Sequence, residues 1–275
     1  MSGNLSLCSW EEAVLWLRGQ PDQIELVRAC FFDDPLLGAV QRYYESTEWR
    51  AVRNFLPLKR GVALDMGAGR GISSYALARD GWKTTALEPD PSRLVGTGAI
   101  ASLLKETGLD VRIEEQWGEA LPFSDATFDV VHGRQVLHHA KDLTRLCSEV
   151  TRVLKPGGLF IATREHVLSR KEDLPVFLEN HPLHKFYGGE NAYLLREYLT
   201  AIQQSGIALT HVLNPFQSAI NLYPDTMNQI KNRLARKMRF PWPQLIPDAV
   251  LGWVGACLDT PGRLYSFVGR KSTHV

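Results

Sequence analysis

Two carboxylates bracket a glycine turn. Asp65 opens Asp65-Met66-Gly67-Ala68-Gly69-Arg70-Gly71, and Glu88 closes Thr84-Thr85-Ala86-Leu87-Glu88. Glycines at this spacing let backbone approach a ligand where any Cβ would collide. A carboxylate about 20 residues further on is placed to accept from both hydroxyls of a ribose; Glu88 lies 21 positions after Gly67. The chemistry on offer is nucleotide binding. A dinucleotide fingerprint wants its third glycine at position 72, but Ile72 stands there and Gly71 comes one residue early. Asp65 would also face a pyrophosphate with like charge, so the corner suits a cationic or amine-bearing ligand better.

A second group of reactive side chains gathers further on. His132, Arg134, Gln135, His138 and His139 follow one apolar run, and Arg164, Glu165 and His166 end another. Next come His181, His184 and Tyr187, so six of the eight histidines fall between positions 132 and 184. Imidazole titrates near neutral pH and can take a proton from a bound acceptor. The order of preference for a base is His139, His166, Glu165, then His138. The remaining polar groups (Gln135, His138, His181, His184, Tyr187) are candidates for substrate contact. Pro182 between His181 and His184 works against a helix presenting both on one face, and no zinc spacing occurs, so no metal site is expected.

These residues need a frame that brings strand ends together. Apolar runs near Val62–Met66, Thr84–Glu88, Val111–Gln116, Phe128–Gly133, Leu159–Arg164, Ile207–Leu213 and Leu264–Val268 read as seven strands. Helical patterns alternate with them, which makes the class α/β with a doubly wound, mainly parallel sheet. In such a sheet ligands bind beyond the carboxyl ends of the strands, where the polar residues above fall. Gly157-Gly158 reads as the turn from a helix into the fifth strand, with Lys155 at that helix's C-terminus. Residues 1–57 read as an N-terminal helical cap and 58–275 as the main domain. Ser9-Trp10-Glu11-Glu12 is a capping box, and Pro21 and Pro35 divide the cap into short helices. The cap covers the mouth of the site in this reading, with Tyr43 and Tyr44 as contact candidates. The stretch of about 214–263 between the last two strands is too long for a structureless loop; Asp225–Arg239 and Ala249–Leu258 read as helices within it.

Composition limits the partners. The 275 residues carry a net charge of +1, so no broad field draws in nucleic acid or a membrane surface. The basic run Lys231, Arg233, Arg236, Lys237 and Arg239 reads either as a solvated face or as contact with an anionic group. Met1–Cys8 lacks the pattern of a leader peptide, and no apolar run reaches the length of a membrane span. Cys8, Cys30, Cys147 and Cys257 form no CxxC pair and read as buried thiols in a reducing, cytoplasmic setting.

Taken in order, LDMGAGRG, the acid of ALEPD, GEALPFSDATFDVV, QVLHH and RVLKPGGLF resemble the class I S-adenosylmethionine-dependent methyltransferases, of the bacterial type 11-like group. The resemblance is close from Gly61 to about Phe160 and looser beyond. It implies a Rossmann-like fold of seven strands, the last antiparallel, with S-adenosylmethionine as cofactor. By resemblance Asp65, Gly67, Ala68 and Gly69 lie against the methionine part, and Glu88 with Pro89 against the ribose. Trp117, Gly118 and Glu119 fall near the adenine, and Arg134 completes the cofactor side. Relatives often carry an acid or a small polar residue where this chain has Trp117. An indole cannot accept from the adenine amino group; Trp117 covers the adenine face or packs on the sheet edge. The implied reaction is methyl transfer to a small-molecule acceptor, with oxygen favoured. The rival readings are a nicotinamide-dependent oxidoreductase, a nucleic-acid methyltransferase and a binding protein without catalysis. Acceptor and oligomeric state stay open.

Overall fold

The computed structural model describes residues 8–273; the Met1–Cys8 leader reading falls almost wholly outside them. The N-terminal layer holds α1 (Trp10–Arg18), α2 (Ile24–Ala29), α3 (Leu36–Glu45) and α4 (Thr47–Arg53). Strands and helices then alternate: β1 (Val62–Met66), α5 (Ile72–Arg79), β2 (Lys83–Leu87), α6 (Thr97–Thr107), β3 (Val111–Glu114), β4 (Phe128–Arg134), α7 (Leu143–Val153) and β5 (Leu154–Leu168). A cover segment follows with α8 (Leu174–Asn180), α9 (His184–Tyr187) and β6 (Tyr193–Leu194). The chain continues through α10 (Leu195–Gln204), β7 (Ile207–Leu213), α11 (Ala219–Leu222), α12 (Met227–Met238), α13 (Asp248–Cys257) and β8 (Arg263–Lys271).

The sheet order is β3-β2-β1-β4-β5-β8-β7, with β6 paired to β5. Strands β1 to β5 run parallel, and β8 is antiparallel to both neighbours. The order reverses between β1 and β4, which is where an open α/β sheet leaves its ligand crevice. Side-chain alternation explains the two cores. Leu64, Val131 and Phe160 point into a layer with Leu146, Val150, Tyr198 and Ile202 of α7 and α10. Ala63, Val130 and Ile161 point the other way, onto Tyr43, Trp49, Val52, Ala76 and Leu77.

Three expectations change. Among the described residues the sheet has eight strands, because Tyr193–Leu194 adds a short edge against Val167–Leu168; two residues are too few to show a period. Lys155, Gly157 and Gly158 lie within β5 rather than in a turn after a helix, and Lys155 pairs with Asp129 at 2.8 Å. The cysteines are all free but not all buried: Cys147 is buried and Cys257 exposed. The insertion contains the expected helices and has its own small core of Leu222, Ile230, Ala235, Ile246 and Leu251. Among the described residues no helix is long and apolar enough to cross a membrane.

Candidate active site

The corner between β1 and α5 is built from backbone that only glycine adopts easily. Gly67, Gly69 and Gly71 have φ of 63°, 53° and 83°. A Cβ on Gly67 would stand 2.5 Å from Val136, whereas one on Gly69 would meet nothing closer than Val95 O at 3.9 Å. The space above Gly69 is therefore open to a ligand. Ala68 N–H donates to Leu87 O, tying the turn to β2. Glu88 crosses the same gap. Its Oε2 accepts Gly69 N–H at 2.7 Å and its Oε1 accepts Asp90 N–H at 3.0 Å. Burial raises the Glu88 carboxyl to about 7, against the pull of those two N–H groups. Pro89 is half-buried beside it. The remaining lone pairs of the carboxylate and the open face of Gly69 fit the ribose and amino-acid ends of S-adenosylmethionine.

Asp65 sits lower than the sequence suggested. It is 1% exposed, accepts Ser74 Oγ–H at 2.6 Å and faces His132 Nδ1 at 3.3 Å. Ligand contact through this carboxylate would go by way of Ser74 or the turn above. Trp117 is 60% exposed; Lys141 Nζ stands 5.9 Å from the ring centroid. Gly118 fits against Leu146 with no room for a Cβ. Glu119 accepts Lys141 N–H at 3.0 Å, which holds the start of the following loop.

Arg134 and Tyr43 do not take the places expected of them. Arg134 is taken up by a two-pronged pair with Glu48 at 2.7 and 3.2 Å, between the Phe31 and Tyr43 rings. It also donates to Gln135 Oε1, which occupies that side of the Gln135 amide. Tyr43 is fully buried against Trp49 and serves the core, not the mouth. A 3.6-residue period shows that a side chain faces inward but not which layer receives it. The cap is tied to the glycine turn by Arg70, unremarked in the sequence, which donates to Phe31 O, Asp33 O and Asp34.

The ends of β4 and β5 do bring the histidines together. His138 and His139 rings lie 4.2 Å apart, His138 and His166 4.8 Å, and His166 and His181 6.2 Å. Two of the proposed bases are structurally engaged. Glu165 is 0% exposed and accepts Val136 N–H, His138 N–H and His138 Nδ1–H at 3.0, 3.1 and 2.7 Å. Burial pushes its carboxyl up while the N–H groups oppose that rise. It shapes the turn after β4 and orients His138. His166 donates from Nδ1 to Gly262 O at 2.9 Å, and burial followed by the neighbouring His138 lowers it to about 3. A base that weak cannot drive deprotonation at neutral pH. Burial likewise keeps His138 neutral. His139 differs: its ring is exposed, and Nδ1 lies 3.2 Å from Gly189 O. A proton on Nδ1 leaves Nε2 with a free lone pair.

The cover segment closes this rim. Cys8 N–H donates to Phe186 O, Trp10 packs on Tyr187 at 4.5 Å and Trp16 on Phe186 at 4.2 Å. Tyr187 donates to Glu190, whose carboxylate enters the histidine group. His184 lies on α9, outside the two groups of close ligand atoms. Glu190 was missed in the sequence. Its only signal was an acid beside Gly188-Gly189, and nothing local says that the loop folds inward.

Residues 64–162 match the family model described as a methyltransferase domain. An uncharacterized methyltransferase of Mycobacterium sp. (strain JLS) is 38% identical over 114 residues, 41% of this chain and 42% of that protein. A ubiquinone biosynthesis O-methyltransferase of Methylobacterium nodulans is 36% identical over 113 residues, 41% of this chain and 44% of that protein. The matched stretch thus spans less than half the length of these curated relatives. The fold is shared more widely. A crystal structure of an S-adenosylmethionine-dependent methyltransferase from Mesorhizobium loti superposes with a TM-score of 0.56 at 19% identity, covering 83% of this chain and all of that one. The glycine corner, the carboxylate after β2 and the strand order already described thus belong to a stretch that matches a methyltransferase domain, in a fold shared with S-adenosylmethionine-dependent methyltransferase structures.

Proposed function

We propose that this protein transfers a methyl group from S-adenosylmethionine to an oxygen of a small-molecule acceptor, with His139 as the proton acceptor. The observation that carries the reading is the Glu88 carboxylate bonded across the open glycine turn to Gly69 N–H. When bound, S-adenosylmethionine supplies an electrophilic methyl group on a cationic sulfur. Glu88 accepts from the ribose hydroxyls, and the bare backbone at Gly67 and Gly69 lies against the amino-acid end. The exposed His139 ring follows β4 shortly after Val136, which packs beside Gly67, and Gly189 O holds its Nδ1 proton. Its Nε2 takes the acceptor's hydroxyl proton as the oxygen is methylated.

Oxygen is supported by the relative named for O-methylation in ubiquinone biosynthesis. A small acceptor is supported by the closed cover and by a net charge of only +1. The free thiols support a reducing compartment. The nicotinamide reading is weakened by Ile72 at the position of the third glycine.

The test is transfer of label from methyl-labelled S-adenosylmethionine into a cell extract, read by mass spectrometry. A metabolite should gain the label with wild type and about 100-fold more slowly with His139→Ala. No labelled product from any extract, or equal rates for the two proteins, rejects the reading.

A further inference from the structure

Glu190 poses an electrostatic problem that the methyl-transfer reading leaves unsolved. Its side chain is 4% exposed, and Oε1 takes the Tyr187 hydroxyl. Its other oxygen, Oε2, is buried with no hydrogen-bond partner. An unpaired buried carboxylate oxygen is costly, so a native fold keeps one only when something else satisfies it. The neighbouring groups are imidazoles: His138 Nε2 is 3.7 Å from Oε2, and His181 Nε2 is 3.6 Å from Oε1. Glu190 is thus a buried carboxylate ringed by imidazole nitrogens, with one oxygen left unpartnered among the described residues.

We propose that His166, His181 and Glu190 form a binding site for a divalent transition-metal ion, which fastens the cover segment to the end of β5. One ligand atom from each lies within 4.8 Å of the other two. An ion at the centre of such a triangle is within about 2.8 Å of all three. Each side chain then closes by less than about 1 Å to reach the ~2.0–2.2 Å of zinc–nitrogen and zinc–oxygen bonds. Metal-ligating histidine normally donates its second ring N–H to a carbonyl or carboxylate. His166 does so, from Nδ1 to Gly262 O at 2.9 Å, and its Nε2 is left as the ligand. His138 repeats the arrangement through Glu165 at 2.7 Å, and its Nε2 stands beside Glu190 as a further donor. The bond from Leu183 N–H to His181 Nδ1 is long at 3.4 Å, and ligation through Nε2 gives it up. Two imidazoles and a carboxylate suit Zn(II), Co(II) or Fe(II) rather than Mg(II) or Ca(II). The ligands come from both sides of the opening: His166 from β5, and His181 and Glu190 from the cover. Metal binding therefore ties the cover to β5; His139, whose ligand atom groups with His138 and Glu190 at the same spacing, lies outside the proposed ligand set.

The test uses tag-free full-length protein, stripped with chelator and titrated with Co(II) and Zn(II). Wild type should take up about one ion per chain, give visible Co(II) bands of imidazole ligation, and lose proteolytic cleavage between residues 169 and 192. His181→Ala and Glu190→Gln should each weaken the metal at least tenfold. Calorimetry with S-adenosylmethionine should be unchanged in His181→Ala, so failure here is distinct from failure of the cofactor reading. Absence of Co(II) bands in wild type overturns the proposal whether or not the variants fold. Equal metal affinity in wild type and both variants also overturns it.

Discussion

Glu88 Oε2 accepts the Gly69 backbone N–H at 2.7 Å, bridging the ends of β1 and β2. The contact joins the two features that define the corner, the carboxylate after β2 and the turn built on Gly67, Gly69 and Gly71. It also places a buried charge where a ligand is expected to supply further donors.

Stability without ligand should therefore depend on pH through Glu88. Its folded carboxyl is raised from 4.5 to about 7. A raised acid favours folding when protonated, so the contribution is complete below the unfolded value and is lost as pH rises through about 7. One pKa unit is about 1.4 kcal/mol, so the loss is roughly 3 kcal/mol between about pH 5 and pH 8. Thermal melts of wild type across that window should show the decline, and Glu88→Gln should flatten it. Equal slopes for the two proteins would remove Glu88 as the cause.

Glu48 is fully buried between Arg134 and Arg164, the first at 2.7 Å and the second at 3.8 Å. Glu48→Gln leaves two guanidinium groups buried without an anion. Breaking such a pair from one side costs about 3–5 kcal/mol. Urea unfolding should show a loss of that size, and a loss under about 1 kcal/mol would mean that water relieves the site.

Arg70 is 5% exposed and holds the Phe31–Asp34 turn of the cap against the glycine corner through two carbonyls and Asp34. Arg70→Ala should raise hydrogen exchange at residues 31–34 and weaken S-adenosylmethionine binding by about tenfold. The mechanism is loss of charge-assisted bonds worth about 1.5–3 kcal/mol each. Unchanged exchange in that turn would show the cap to be held by its apolar contacts alone.

How much of this could be read from the sequence follows from how local each signal is. The glycine corner and Glu88 were legible because the motif lies within one strand–turn–helix–strand unit, where spacing alone fixes the geometry. Strands β1 and β7 fall where their apolar runs placed them, and the insertion helices start and stop close to expectation. Arg134 was misplaced because strand position gave its address but not the direction of its side chain; buried Glu48, 86 residues away, decides that. Glu165 and His166 were read as following a strand that ends at Arg164, but β5 runs on to Leu168 and pairs both with β8, and their partners Val136, His138 and Gly262 arrive from other elements. Glu190 was invisible for the same reason, since the contacts on its segment come from distant α1, whose Trp10 and Trp16 pack on Tyr187 and Phe186.

The central claim is that the β1–β2 corner binds S-adenosylmethionine through Glu88, and calorimetry on wild type and Glu88→Ala with S-adenosylmethionine and with NAD tests it most directly. The account predicts S-adenosylmethionine binding to wild type, at least about tenfold weaker binding to Glu88→Ala, and no NAD binding to either. NAD binding to wild type in the absence of S-adenosylmethionine binding, or equal S-adenosylmethionine affinity for both proteins, would contradict it.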